Sequence, residues 1–203
     1  MKTLRNILIM AVISSTGLTS FVGCKKGDGD PFISFHSRKA RVAGKWTLAS
    51  GTEVSKNTSS TGTSTTTTTT YNGTTVSSVV SGVSGVVTPA PYTEAWEFKK
   101  DGTFTVTIID DGDIDVGTGV WNFTAGVGKL KKKEQIVITI LSDVYTPSGG
   151  GTASTSTKTG VTNDMTFDIY ELKNKEMVWK MNTTDATAGG SSNEHTLEKT
   201  YKQ

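Results

Sequence analysis

The sequence predicts an all-β protein, an antiparallel up-and-down β-barrel entered through a short helical turn. Three observations carry this. Apolar and polar residues alternate with period two in most segments after residue 44, which puts one set of side chains on a buried face and the other in water. Asp101-Gly102 and Asn72-Gly73 stand between such segments. These dipeptides supply the positive φ angles that two-residue hairpin turns need. No segment after residue 44 carries a convincing 3.6-residue apolar period. Eight or more short strands in meander order are expected to close, because closure leaves no unpaired edge.

The elements follow in order. Residues 32–43 lack alternation and end at Gly44, so they read as the helical turn. Its Arg38, Lys39 and Arg41 read as a solvated face. Trp46-Thr47-Leu48-Ala49-Ser50 is the first strand. Trp96 and Phe98 share one face of the next aromatic strand, and Phe104, Val106 and Ile108 share one face of its return strand. Trp121 and Phe123 then fall together, and a lysine-rich turn follows at 129–133. Residues 135–141 are apolar on both faces, which predicts a central strand. Met165, Phe167 and Ile169 face one way in a last hairpin, as do Met177, Trp179 and Met181. The segment 194–201 ends the barrel.

Two low-complexity tracts, 55–90 and 146–162, hold much of the chain's 36 threonines and explain its low hydrophobic fraction of 34%. Threonine and valine flanking Asn72-Gly73 favour a β-hairpin at 65–80. Disorder is expected at 55–63 and 148–156, where polar side chains bury too little to offset chain entropy.

Charge and composition exclude several functions. With 203 residues the chain makes one domain, and 21 basic against 19 acidic residues leave a charge of +2. That balance argues against nucleic acid as a partner, which demands a basic surface. One cysteine and two histidines cannot build a thiolate or histidine-rich metal site, so no metal and no cofactor is expected. Asp111, Asp113 and Asp115 have calcium-loop spacing, but Val116 and Asn122 stand where that loop needs Gly and Glu, so a solvated turn is the better reading. His195 has Glu194 and Glu198 nearby, yet alternation turns those acids to the opposite face. No nucleophile elbow, phosphate loop or dinucleotide fingerprint occurs. No catalytic set is found, and the expectation is a non-enzyme.

The N-terminus is an address. Lys2 and Arg5 precede the apolar run 6–13, which is too short to span a bilayer. Phe21-Val22-Gly23-Cys24 follows, with the chain's single cysteine. Here the chain resembles a Gram-negative bacterial lipoprotein precursor. The resemblance implies a signal peptide over 1–23, acylation of Cys24, a tether over 24–31 and a membrane partner through that anchor. Two or three acyl chains anchor stably where one does not. By the same resemblance, Lys25 in place of Asp implies the outer membrane, with the periplasmic or the outer side left open. Loss of 1–23 removes Lys2 and Arg5 and no acid, so the two signs become equal.

A second resemblance covers 32–203 outside the threonine tracts. Gly44-Lys45-Trp46 after a helical turn, then Trp96-Glu97-Phe98, Asp101-Gly102-Thr103-Phe104 and Gly119-Val120-Trp121, is similar to lipocalins and other calycins. In that family the Trp closes one barrel end and a basic residue of the last strand packs over its ring; Lys199 is the candidate. The resemblance implies a lipid-anchored protein that binds a small hydrophobic ligand or acts as a scaffold. Trp96, Phe98, Phe104, Trp121, Phe123, Phe167, Met177, Trp179 and Met181 are the candidate lining of a cavity, or else a filled core. The alternative is a surface adhesion or interaction module, with the Thr-rich hairpin projecting from the barrel.

Overall fold

A computed structural model describes residues 38–82, 88–124, 134–148, 156–187 and 189–203. Cys24, its tether, the lysine-rich turn and residues 149–155 lie outside them. A five-residue helix, α1 (Arg38–Val42), leads into ten strands: β1 (Gly44–Thr58), β2 (Ser64–Tyr71), β3 (Thr75–Val80), β4 (Ala90–Phe98), β5 (Thr103–Asp110), β6 (Asp113–Thr124), β7 (Gln135–Thr146), β8 (Ser156–Leu172), β9 (Glu176–Ala186) and β10 (Ser192–Lys202). All pairings are antiparallel and the sheet closes, β10 returning to β1. The fold is thus an all-β closed barrel, consistent with the up-and-down lipocalin-like form.

The two ends of the barrel differ in strand number. At its start β1 pairs with β4, Trp46 opposite Trp96. From Gly51 to Thr58 the same edge of β1 pairs instead with β2. The β2–β3 hairpin is therefore a wedge, giving an eight-stranded ring at one end and ten strands at the other. Barrel width grows with strand number, so the wedge flares the far end. The hairpin thus belongs to the wall rather than projecting from it, and its turn falls at the expected Asn72-Gly73.

The narrow end is filled. Trp46, Leu48, Phe98, Phe104, Trp121, Ile136, Leu172 and Met177 are all buried there. Rings meet at stacked and edge-on angles, as for Trp96–Phe98 at 5.6 Å and Phe98–Trp121 at 5.5 Å between centroids. Val42 of α1 plugs the opening and is fully buried.

Several expectations are corrected. The first strand runs on to Thr58, and 59–63 form a tight turn closed by Ser59 N–H to the Thr63 carbonyl at 2.8 Å. Ladder pairing on both sides of β1 orders a tract whose composition alone suggests disorder. Residues 156–162 likewise belong to β8. In a closed barrel no strand is central, and the outward Leu141 of β7 is exposed while Ile136 and Ile138 are buried. The basic face of α1 is only partly solvated. Arg41 is half-buried and donates to the Leu172 carbonyl, while Lys39 Nζ lies 5.6 Å from the Trp121 ring centroid. The Asp111 region is a two-residue hairpin turn, with Asp111 and Gly112 at φ 48° and 92°, while Asp115 lies within β6.

Candidate binding cavity

Above the aromatic floor the barrel holds a cavity of about 260 Å³. One wall is apolar, with Val106, Ile108, Ile140, Met165 and Phe167 from β5, β7 and β8. The other carries Glu94, His195, Lys199 and Tyr201 from β4 and β10. Trp96, Trp179, Met181 and Leu197 complete the lining. A larger concavity, about 430 Å³, lies at the rim between hairpin tips. Its serine, threonine and asparagine side chains, with Asp185, offer no buried charge.

Glu94 is the electrostatic centre. Strand β4 alternates, and Tyr92, Glu94, Trp96 and Phe98 are its buried positions. Glu94 accepts four hydrogen bonds, from Lys199 Nζ at 2.5 Å and Tyr92 at 2.9 Å on one oxygen, and from Tyr201 at 2.5 Å and Trp96 Nε1 at 2.7 Å on the other. Burial alone would raise its carboxyl, but the Lys199 charge and the donated hydrogen bonds outweigh it and hold the group below the usual glutamate value. Burial, then the Glu94 charge, pushes the phenols of Tyr92 and Tyr201 up.

A second polar group lies further out. Glu53 of β1 accepts from Tyr71 at 3.0 Å and contacts His195 Nε2 at 2.9 Å. The Lys199 ammonium, 4.5 Å above the Tyr71 ring, links the two clusters. A polar stripe thus runs down one wall, from His195 and Glu53 through Tyr71 and Lys199 to Glu94.

The candidate residues separate by depth. Trp96, Phe167, Trp179 and Met181 line the cavity. Phe98, Phe104, Trp121 and Met177 are buried among the floor residues, with Phe123 half-buried against them. Gly44 and Trp46 sit at the filled end. Gly44 adopts φ 150°, and a β-carbon there would meet the Gln203 side chain at 2.7 Å. Lys199 requires a correction. Its ammonium lies over Tyr71 and Tyr92, 5.9 Å from the latter's centroid, and pairs with Glu94, while Trp46 gives its indole N–H to the Val42 carbonyl at 2.7 Å. The wedge brings Tyr71 to that point, and no local pattern signals it. Glu94 had a signal, since it shares parity with Trp96 and Phe98. Glu53 had none, because the register shift between Leu48 and Ser50 breaks its parity with Trp46 and its partners Tyr71 and His195 lie 18 and 142 residues away.

Near the mouth, Asp143 perturbs the Asp115 carboxyl. Burial first, then the hydrogen bond and charge of Asp143, raise the Asp115 carboxyl to about 6, against an opposing pull from Lys158. A carboxyl raised above its unfolded value, about 3.9, stabilises the fold below that value and loses this contribution as pH climbs through 6. The Asp143→Asn variant should therefore gain Tm relative to the parent between pH 4 and pH 6.5. Thermal melts across that range check this, and a pH-independent difference would disprove it.

Among the described residues no helix is long and apolar enough to cross a membrane, and no group of three His, Cys, Asp or Glu could hold a metal ion. No protein-family model, curated protein or solved structure matches this chain.

Proposed function

We propose that this chain is a lipid-anchored envelope protein of the lipocalin-like lipoprotein kind, which holds a small, largely apolar ligand in the flared half of its barrel. The observation that carries the reading is the cavity of about 260 Å³ with an apolar wall facing a polar stripe, the composition of small-molecule sites generally. It is roughly nine water volumes, at about 30 Å³ each, so the ligand has on the order of ten heavy atoms. The reading is of a binder, because the acids and bases at the cavity are engaged with each other, Glu94 with Lys199 and Glu53 with His195.

Two experiments test this. Native mass spectrometry of the purified chain should show a co-purified small molecule, and Ile140→Trp, which fills the cavity, should lose it. Retention of the molecule by that variant counts against the cavity. For the anchor, Cys24→Ala should move the protein from the membrane fraction to the soluble one; continued outer-membrane fractionation would exclude lipidation there.

The interaction-module alternative draws on one observation. Among the described residues, β3 pairs with β4 only at Thr75 and Val76, and Val79 beyond them is 55% exposed. A partner strand could add at that edge. Loss of cell-surface binding in Val79→Lys, with the cavity ligand retained, would favour it.

A further inference from the structure

We infer that the ligand carries a cationic amine, held by the Glu53 carboxylate at the cavity mouth, on an apolar body that lies against Val106, Ile108, Ile140 and Met165. The inference rests on the cavity reading above and specifies its ligand class.

Glu53 has unused bonding capacity. An ionised carboxylate offers about four lone-pair sites. Glu94 uses four, and its charge is matched by Lys199. That pair is electrically closed, and an anion reaching Lys199 would approach Glu94 equally. Glu53 uses two sites, for Tyr71 and His195. No lysine or arginine of the described residues lies within ion-pair distance of it. Its side chain is 30% exposed and that of His195, which lines the cavity, is 22% exposed. Glu53 is thus a half-desolvated carboxylate with two acceptor sites to spare, beside the cavity.

The surrounding charge has the same sign. Asp110 stands opposite the inward Tyr92 and acts electrostatically on both Tyr71 and Tyr92. Asp115 and Asp143 lie close together on β6 and β7, with Lys158 opposite Asp143. The inward groups above the Glu94–Lys199 pair are therefore mainly acidic. A cleft of one sign with low-dielectric walls concentrates ions of the other. A carboxylate-headed lipid meets repulsion throughout this path, whereas an amine meets attraction and ends on Glu53, with its carbon chain below on the apolar wall.

The test is a matched series of about the right size, octylamine, octanol and octanoate, titrated into the full chain and followed by tryptophan fluorescence, since Trp96 and Trp179 line the cavity. Octylamine should bind at least about tenfold more tightly than octanoate, with octanol between them. Raising ionic strength should weaken octylamine and leave octanol nearly unchanged. Glu53→Gln keeps the side-chain shape, with its amide oxygen accepting from Tyr71 and its amide nitrogen donating to His195 Nε2, and should bring octylamine to the level of octanol. Octanoate binding as tightly as octylamine, or an octylamine affinity unaffected by Glu53→Gln in a folded variant, overturns the cation assignment while leaving the cavity reading intact. If none of the three binds, the cavity reading fails and the cation assignment with it.

Discussion

Glu94→Gln should lower the stability of the barrel by about 3–5 kcal/mol, the cost of removing one partner from a buried ion pair. Lys199 would keep its charge in a site where its side chain is 11% exposed, with a neutral amide in place of its counter-charge. Tyr92, Tyr201 and Trp96 would lose a charged acceptor at the same time. Adding Lys199→Met removes the stranded charge, and the double variant should recover much of the loss. Denaturant unfolding of parent, single and double variants measures both effects. Two single variants whose losses simply add would show that the pair is not coupled. A carboxyl held below its usual value stabilises the fold above that value and loses this contribution as pH falls through the folded one. The parent should therefore lose stability at acid pH more steeply than the double variant.

Gly119→Ala should cost about 3 kcal/mol or more, at the upper end of overpacking penalties. The new β-carbon would lie 1.9 Å from the Thr139 carbonyl oxygen and 3.0 Å from the Ile140 Cα. Both are backbone atoms of the neighbouring strand, so no rotamer change relieves the clash, and the β6–β7 ladder must part beside its register shift at Thr118–Gly119. Gly117→Ala is the control. Its β-carbon meets the Val106 Cγ1 at 2.8 Å, a side-chain atom that can rotate away, so a loss of about 1–2 kcal/mol is expected. Equal losses at the two positions would show that the close approach of β6 to β7 at Gly119 is not a constraint.

Legibility followed sequence separation. The hairpins around Asp101-Gly102 and Asn72-Gly73 were readable because turn chemistry and alternation are local. So was the inward face of β4, and the same parity places Glu94 inside with Trp96 and Phe98. What a buried carboxylate pairs with is a different question. Lys199 is 105 residues from Glu94, and periodicity shows only that it faces inward. Assigning it to Trp46 by resemblance misses Tyr71, because the resemblance leaves out the threonine tract that carries Tyr71.

Period-two burial and tight turns between neighbours in the chain dictate the closed all-β architecture, its antiparallel order and the strands outside the threonine tracts. That β1 changes partner from β4 to β2 partway along its length rests on pairing between distant segments. That switch admits two further strands at one end. The barrel is consequently filled by aromatic rings where it has eight strands and open where it has ten, and the polar stripe from Glu94 to Glu53 faces the opening.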